Sequence, residues 1–154
     1  MHTLHATGAV NTTKNDGRWA DEIKKLNDGN GIDLVVDFMG ASYFAQNLEV
    51  LARDGRVVQL GAMGGTKLPD GVDIGPLLMK RARFEGSTLR SRDPEYQGRL
   101  RDLFEEKALE GLRSGEFECH VDRVLPWEQI VEAHQAMERN ETKRKVICTI
   151  DWAA

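Results

Sequence analysis

The sequence predicts an α/β fold with a parallel sheet and flanking helices, on three observations within residues 31–65. First, Ile32–Phe38 is an apolar run too short for a helix, interrupted only by Asp33 and Asp37 and β-branched at Val35 and Val36; it reads as a strand buried on both faces. Second, the period changes after Gly40. Phe44, Leu48 and Leu51 fall on one helical face behind Ser42, a candidate cap, and Arg53-Asp54-Gly55 supplies the turn that stops the helix. Third, Arg56–Leu60 alternates as a second strand. With connections this short, right-handed crossover geometry makes the two strands parallel neighbours.

The other elements follow in order. Leu4–Thr13 reads as the tail of a helix, a turn and a very short strand. Asp16–Asp28 carries Trp19, Ile23 and Leu26 at helical spacing and closes at Gly29-Asn30-Gly31. After Gly65 a polar loop runs to Gly75, and Pro76 suits the first turn of a short helix over Leu77–Lys80. Phe84–Leu89 alternates large and small residues as a third parallel strand at the sheet edge. Asp93 can cap the next helix, with Pro94 at its first position and Leu100, Leu103, Phe104 and Ala108 as an apolar stripe. Val121–Leu125 and Lys145–Ile150 read as strands around a helix over Pro126–Asn140, with Trp127, Ile130, Val131 and Met137 inward. These last pieces do not continue the alternation and can form a second unit.

Both central strands end, at their carboxyl edges, in glycine-bearing segments: Asp37-Phe38-Met39-Gly40 and Gly61-Ala62-Met63-Gly64-Gly65. That edge is where an open parallel sheet binds ligands, because the loops diverge there and backbone amides face outward. On spacing alone the glycines serve either a ligand or the turns themselves. Arg90-Ser91-Arg92, directly after the third strand, can meet an anionic or carboxamide-bearing ligand or form an ordinary surface loop. Asp37 reads as an acceptor for local amides rather than as a catalytic carboxylate.

Composition narrows the function classes. The chain has 154 residues, 40% of them hydrophobic, enough for a core of about one domain. A net charge of −4 argues against nucleic-acid and membrane-surface roles, and Lys80-Arg81-Ala82-Arg83, the densest basic run, reads as a solvated face. The sequence has no membrane-length apolar stretch, and Met1-His2-Thr3-Leu4-His5 lacks a signal-peptide core, so the expected location is the cytoplasm. Cys119 and Cys148 are far apart and outside any CxxC pair, and adjacent Cys119-His120 would point to opposite faces of a strand; no metal site is expected. His134 falls on the Ile130 and Met137 side of its helix and reads as a packed or half-exposed histidine.

Three segments carry a resemblance: DLVVDFMGASYFAQNLEVLARDGRVVQLGAMGG, LLMKRARFEGSTLRSRDPEYQ and DRVLPWEQIVEAHQAMERNETKRKVICTI. Together they resemble the medium-chain dehydrogenase/reductase superfamily, and within it the zinc-free NADPH:quinone oxidoreductases, p53-inducible quinone oxidoreductase-like branch. The resemblance implies an incomplete Rossmann-like parallel sheet over residues 1–117. It makes residues 118–154 a strand, helix and strand belonging with a GroES-like catalytic domain. That domain, the glycine fingerprint and the first two strands would lie outside this chain, since Gly61-x-x-Gly64-Gly65 leads into a loop and cannot form the helix-terminus pyrophosphate cradle.

Function follows as an expectation from the same resemblance. The chain would be the cofactor-binding portion of an NAD(P)H-dependent quinone oxidoreductase, inactive alone, with weak or absent NADPH binding. Met39, Gly40, Gly61, Ala62 and Met63 would lie along the cofactor and Leu89, Arg90 and Ser91 near its nicotinamide end. No catalytic residue is assigned, because hydride transfer from nicotinamide to a quinone or conjugated carbonyl needs orientation more than protein acids and bases. Asn11-Thr12 stands where many relatives have Asn-Tyr, which opens the choice between NADPH and NADH, and Arg144-Lys145 replaces a Gly-Lys. Removing the first strand would leave Ile32–Phe38 with an unpaired edge, to be covered by another copy, a complementary polypeptide or aggregation. Phe84–Leu89 would pair across a two-fold axis in a homodimer. The alternative is a non-catalytic truncated relative acting as a dimerisation or interaction module.

Overall fold

The computed structural model describes residues 6–150, which divide into two compact units, one running to Arg92 and the other starting at Asp93. This division falls well before the sequence-based boundary at 117/118. In the first unit, the very short strand expected near Asn11 is instead a turn: the Asn11 side chain accepts from the amide and hydroxyl of Thr13, an alternative that asparagine offers the backbone. The helix expected over Asp16–Asp28 is cut short at its start. Asp16 and Gly17 sit at φ 52° and 80°, so residues 15–17 form a 3-10 turn and α1 spans only Ala20–Leu26. Asn27 then closes the helix by donating to the carbonyls of Asn30 and Gly31.

Strand β1 spans Ile32–Asp37. After a 3-10 turn at Gly40–Ser42, α2 covers Phe44–Val50 with Tyr43, not Ser42, in the cap position. Strand β2 spans Leu51–Gln59, and its register with β1 jumps from Ile32 opposite Leu51 to Leu34 opposite Arg56. The expected Arg53-Asp54-Gly55 turn thus survives as a bulge inside the strand, with Asp54 at φ 65°. Helix α3 covers Gly75–Met79 with Pro76 in its first turn, and β3 is shorter than expected, Arg83–Gly86. The three strands are parallel in the order β1-β2-β3, placing β2 at the centre.

Two buried clusters hold this unit together. Leu48, Leu51 and Val57 pack with Phe44, Leu77 and Phe84; Trp19, Ala20 and Val50 pack with Ile23, Ile32 and Tyr43; Val35 touches both. Ring centroids lie 5.1 Å apart in both Trp19–Tyr43 and Phe44–Phe84. The strand expected to be buried on both faces is buried on one only. Leu34, Val36 and Phe38, which alternate onto the other face, are 48%, 51% and 54% exposed.

Lys80 corrects the reading of the basic run as a solvated face. Its ammonium donates to the carbonyls of Leu48, Glu49 and Leu51 at 2.7–2.8 Å, satisfying the carboxyl end of α2 where the helix dipole favours a cation. Desolvation pushes its pKa below the ordinary lysine value. Arg81, its neighbour, pairs with Asp54 on the bulge. Glu49 receives Lys24 at 2.7 Å and Arg18 at 3.1 Å.

In the second unit, Asp93 accepts from the Tyr96 amide at 2.7 Å and Pro94 opens α4, Pro94–Phe104, as expected. A π-helical stretch, Glu105–Leu109, carries the chain into α5, Glu110–Ser114, which Gly115 ends at φ 81°. Strand β4, Val121–Pro126, and β5, Lys145–Thr149, pair in parallel around α6, Ile130–Glu138. The inward residues of α6 are Ala133 and Ala136; Trp127, Ile130, Val131 and Met137, expected inward, are exposed. A two-stranded sheet is too narrow to cover them. His134 is exposed as well.

Two outcomes follow for stability. Lys80→Met leaves three carbonyls at the end of α2 without their donor and is expected to lower the unfolding free energy by about 1–3 kcal/mol, read by urea denaturation. The Lys24 and Arg18 partners hold the Glu49 carboxyl below its ordinary 4.5. Between the folded and unfolded values the unfolded chain binds the extra proton, so this stabilisation is present above 4.5 and lost as pH falls through the folded pKa. Glu49→Gln is therefore expected to cost more stability at neutral pH than in acid; an equal cost at both would show that the ion pairs contribute nothing.

Candidate functional site

The carboxyl edge of the three-stranded sheet carries the site. Asp37, the last residue of β1, is buried and its carboxylate accepts from the Met39 amide at 2.6 Å, the Gly40 amide at 3.1 Å and the Asn47 side chain at 3.1 Å. It thus organises the loop locally, as its sequence position suggests. This turns Gly40 to φ 76°, and a Cβ there would stand 2.9 Å from the Gly65 carbonyl oxygen and 3.0 Å from Gln59 Nε2. The glycine is required both by the backbone conformation and by the close approach.

The loops after β1 and β2 are knitted into one layer. Leu60 donates to the Asp37 carbonyl, Met63 to Phe38, Gly64 to Met39, and Ala41 returns a bond to Gly65. A Cβ on Gly61 would lie 2.9 Å from the Phe38 carbonyl oxygen. Beside this layer, the Ser87 amide reaches the Gln59 carbonyl and extends the β2–β3 pairing by one bond. Between the ends of β2 and β3 opens a cleft of about 700 Å³, walled by Gln59, Leu60 and Gly61 on one side and by Gly86, Ser87, Thr88, Ser91 and Arg92 on the other. Arg92 Nη2 lies 3.4 Å from Ser87 Oγ. The lining carries hydroxyls, one amide side chain and one guanidinium but no carboxylate, so it suits an anionic or carboxamide-bearing ligand.

Of the residues singled out from the sequence, Gly61 and Ser91 face this cleft. Met39, Gly40, Ala62 and Met63 form the knitted layer next to it, with Met63 largely exposed. Leu89 and Arg90 are exposed in the following loop, outside the cleft wall. Gln59, Ser87 and Thr88 escaped sequence reading. The sequence-based strand Phe84–Leu89 encloses the last two, whereas β3 ends at Gly86 and leaves them in the loop just past it. Gln59 was concealed inside an alternating strand, although its side chain turns back to donate to the Gly61 carbonyl at 3.1 Å.

In the second unit Cys119 is an exposed free thiol, and His120 Nε2 stands 3.4 Å from the Glu118 carboxylate. Among the described residues no three His, Cys, Asp or Glu side chains gather as a metal site, and no helix is long and apolar enough to cross a membrane.

Comparison with known proteins adds the following. The family profile of zinc-binding dehydrogenases matches residues 4–148. A bovine (Bos taurus) quinone oxidoreductase-like protein 2 is 27% identical over 146 residues, covering 94% of this chain and 40% of that protein. The crystal structure of an NAD-dependent alcohol dehydrogenase superposes with a TM-score of 0.73 at 27% identity, over 97% of this chain and 40% of the other. A mycobacterial protein complexed with NADPH shares the fold, with a TM-score of 0.66 at 23% identity, over 94% of this chain and 44% of its own. The chain therefore spans about 40% of the length of the relatives it matches.

Gly40→Ala tests the knitted layer. It is expected to cost about 2–3 kcal/mol in stability, from backbone strain and the crowding of the Gly65 carbonyl, measured by thermal or urea unfolding.

Proposed function

Because this chain belongs to the zinc-binding dehydrogenase family, we propose that its first unit is the cofactor-binding portion of an NAD(P)H-dependent oxidoreductase of the quinone oxidoreductase kind. In this reading the bound nicotinamide supplies a hydride to a quinone or conjugated carbonyl. The cleft between the ends of β2 and β3 carries the assignment, since it opens at the carboxyl edge of a parallel sheet, where nucleotides seat. The chain's own residues bind and orient. Met39-Gly40 and Gly61-Ala62-Met63 offer a close-packed backbone wall along the cofactor, with Gly40 and Gly61 letting the two loops pack against each other. Ser91, with Leu89 and Arg90 beside it, flanks the nicotinamide end, and Arg92 adds a positive charge there. The protein works mainly by holding donor and acceptor in register, which is where most of the rate of such a transfer arises.

In this reading the chain is inactive by itself, because the pyrophosphate cradle and the substrate-facing half of the pocket come from other polypeptide, and it assembles as a homodimer through the segment Phe84–Leu89, which begins in β3. Its names among relatives support the oxidoreductase class, and the NADPH held by the mycobacterial neighbour supports a nicotinamide nucleotide.

Titration with NADPH followed by backbone NMR is the test. Weak binding, with half-saturation at or above about 1 mM, is expected to shift the amides of Gly61, Ala62 and Ser91 while leaving α6 unmoved. Micromolar affinity would overturn the need for a further segment. Silence of the cleft amides at millimolar NADPH and NADH would overturn the cofactor reading itself. Sedimentation that finds only monomer at all concentrations would remove the homodimer.

A further inference from the structure

The second unit gathers positive charge in one place, although the chain as a whole carries −4. Asn140, at φ 54°, turns the chain out of α6, and the Glu141 amide closes the turn on the Ala136 carbonyl. The residues that follow are tied to the neighbouring strand. The Asp122 carboxylate accepts from the Lys143 amide at 3.3 Å, and the Lys145 amide donates to the His120 carbonyl at 3.4 Å. At the start of β4 and β5 this leaves a cleft of about 540 Å³, with Thr142, Lys143, Arg144 and Lys145 along one side. Among the described residues, none of these three cations is in an ion pair. The neighbouring carboxylates are engaged elsewhere, Asp122 with Arg123 at 2.9 Å and Glu141 with Arg139 at 2.7 Å. Glu118, the one carboxylate on the wall, lies 3.4 Å from His120 Nε2, and that buried nitrogen has no hydrogen-bond partner among the described residues. A buried polar atom left without a partner is unusual in a folded protein and marks a place where something else can bind.

We propose that this cleft binds a small polyphosphate, an oxoanion dense enough in charge to engage several cations at once. Like charges on consecutive residues repel one another, and a multivalent anion seated among them relieves that repulsion. Arg144 supplies a planar fork that matches two phosphate oxygens, Lys143 and Lys145 add point charges, and the Thr142 hydroxyl donates one more bond. A neutral ligand gains little from such a wall, and a single carboxylate answers only one of its cations. The site is built wholly from residues of the second unit, so it stands whether or not the cleft between β2 and β3 takes a nucleotide. Nucleotide phosphates and free polyphosphates share this chemistry, and the test separates them.

The test is a titration of the full chain with sodium pyrophosphate, followed by backbone NMR. The expected result is a saturable shift of the Thr142, Lys143, Arg144 and Lys145 amides, half complete below about 1 mM at about 0.01 M salt. Raising the salt to about 0.1 M shortens the screening length from about 30 Å to about 10 Å and should weaken binding about fivefold or more. The double variant Lys143→Gln, Arg144→Gln changes only exposed side chains, so it should keep the rest of the spectrum and lose the response. The exposed thiol of Cys119, on the same wall, gives a second readout. With Cys148→Ser in place, its reaction with the anionic disulfide dithionitrobenzoate should slow as pyrophosphate is added, with the same half-effect concentration. Shifts that grow without saturating to about 10 mM pyrophosphate, or an equal response from the double variant, would overturn the proposal. So would NADPH moving these amides while pyrophosphate leaves them still, since the site would then be the cofactor's.

Discussion

Parallel pairing of β1 with β2 is the constraint from which the rest of the first unit follows. It places Val35 and Val57 side by side, and their burial draws in Leu48 and Leu51 from α2 and the start of β2 and Phe84 from β3. The same pairing sets the two glycine-bearing loops at one edge, where they exchange four backbone bonds and become a single layer. Neither loop has the length or the apolar content to hold this shape alone; each is the other's scaffold. Asp37 contributes from within, its buried carboxylate neutralising two amides that no strand or helix would otherwise satisfy.

Charge in this unit is used for closure rather than for solubility. Lys80 reaches back to the carboxyl end of α2 and Arg81 to the bulge at Asp54, so two consecutive cations fasten the chain after α3 onto the end of α2 and the start of β2. The bulge, the helix end and the start of β3 therefore form one connected corner. In the second unit, among the described residues, α6 buries only alanines, and Trp127, Ile130, Val131 and Met137 stay exposed.

Membership of the zinc-binding dehydrogenase family and coverage of about 40% of its relatives give these features a common sense. The carboxyl edge of the sheet holds a cleft lined by two glycines, two serines, a threonine and Arg92.

The sequence by itself determined the α/β class, the strand, helix and strand order from residue 32 to 60, the Asp93 cap with Pro94, and the glycine-bearing segments at the carboxyl edge of the sheet. All are encoded locally, in side-chain period, cap chemistry and glycine placement. Gly61 and Ser91, singled out by the resemblance, line the cleft. The tertiary structure alone decided that Leu51–Gly55 pairs as a bulged strand instead of turning free, that Lys80 faces carbonyls instead of water, and that Gln59, Ser87 and Thr88 wall the cleft. It also decided which apolar residues of α6 stay exposed. Each of these depends on which segment, far off in sequence, lies within hydrogen-bond or van der Waals reach, and no local pattern carries that information.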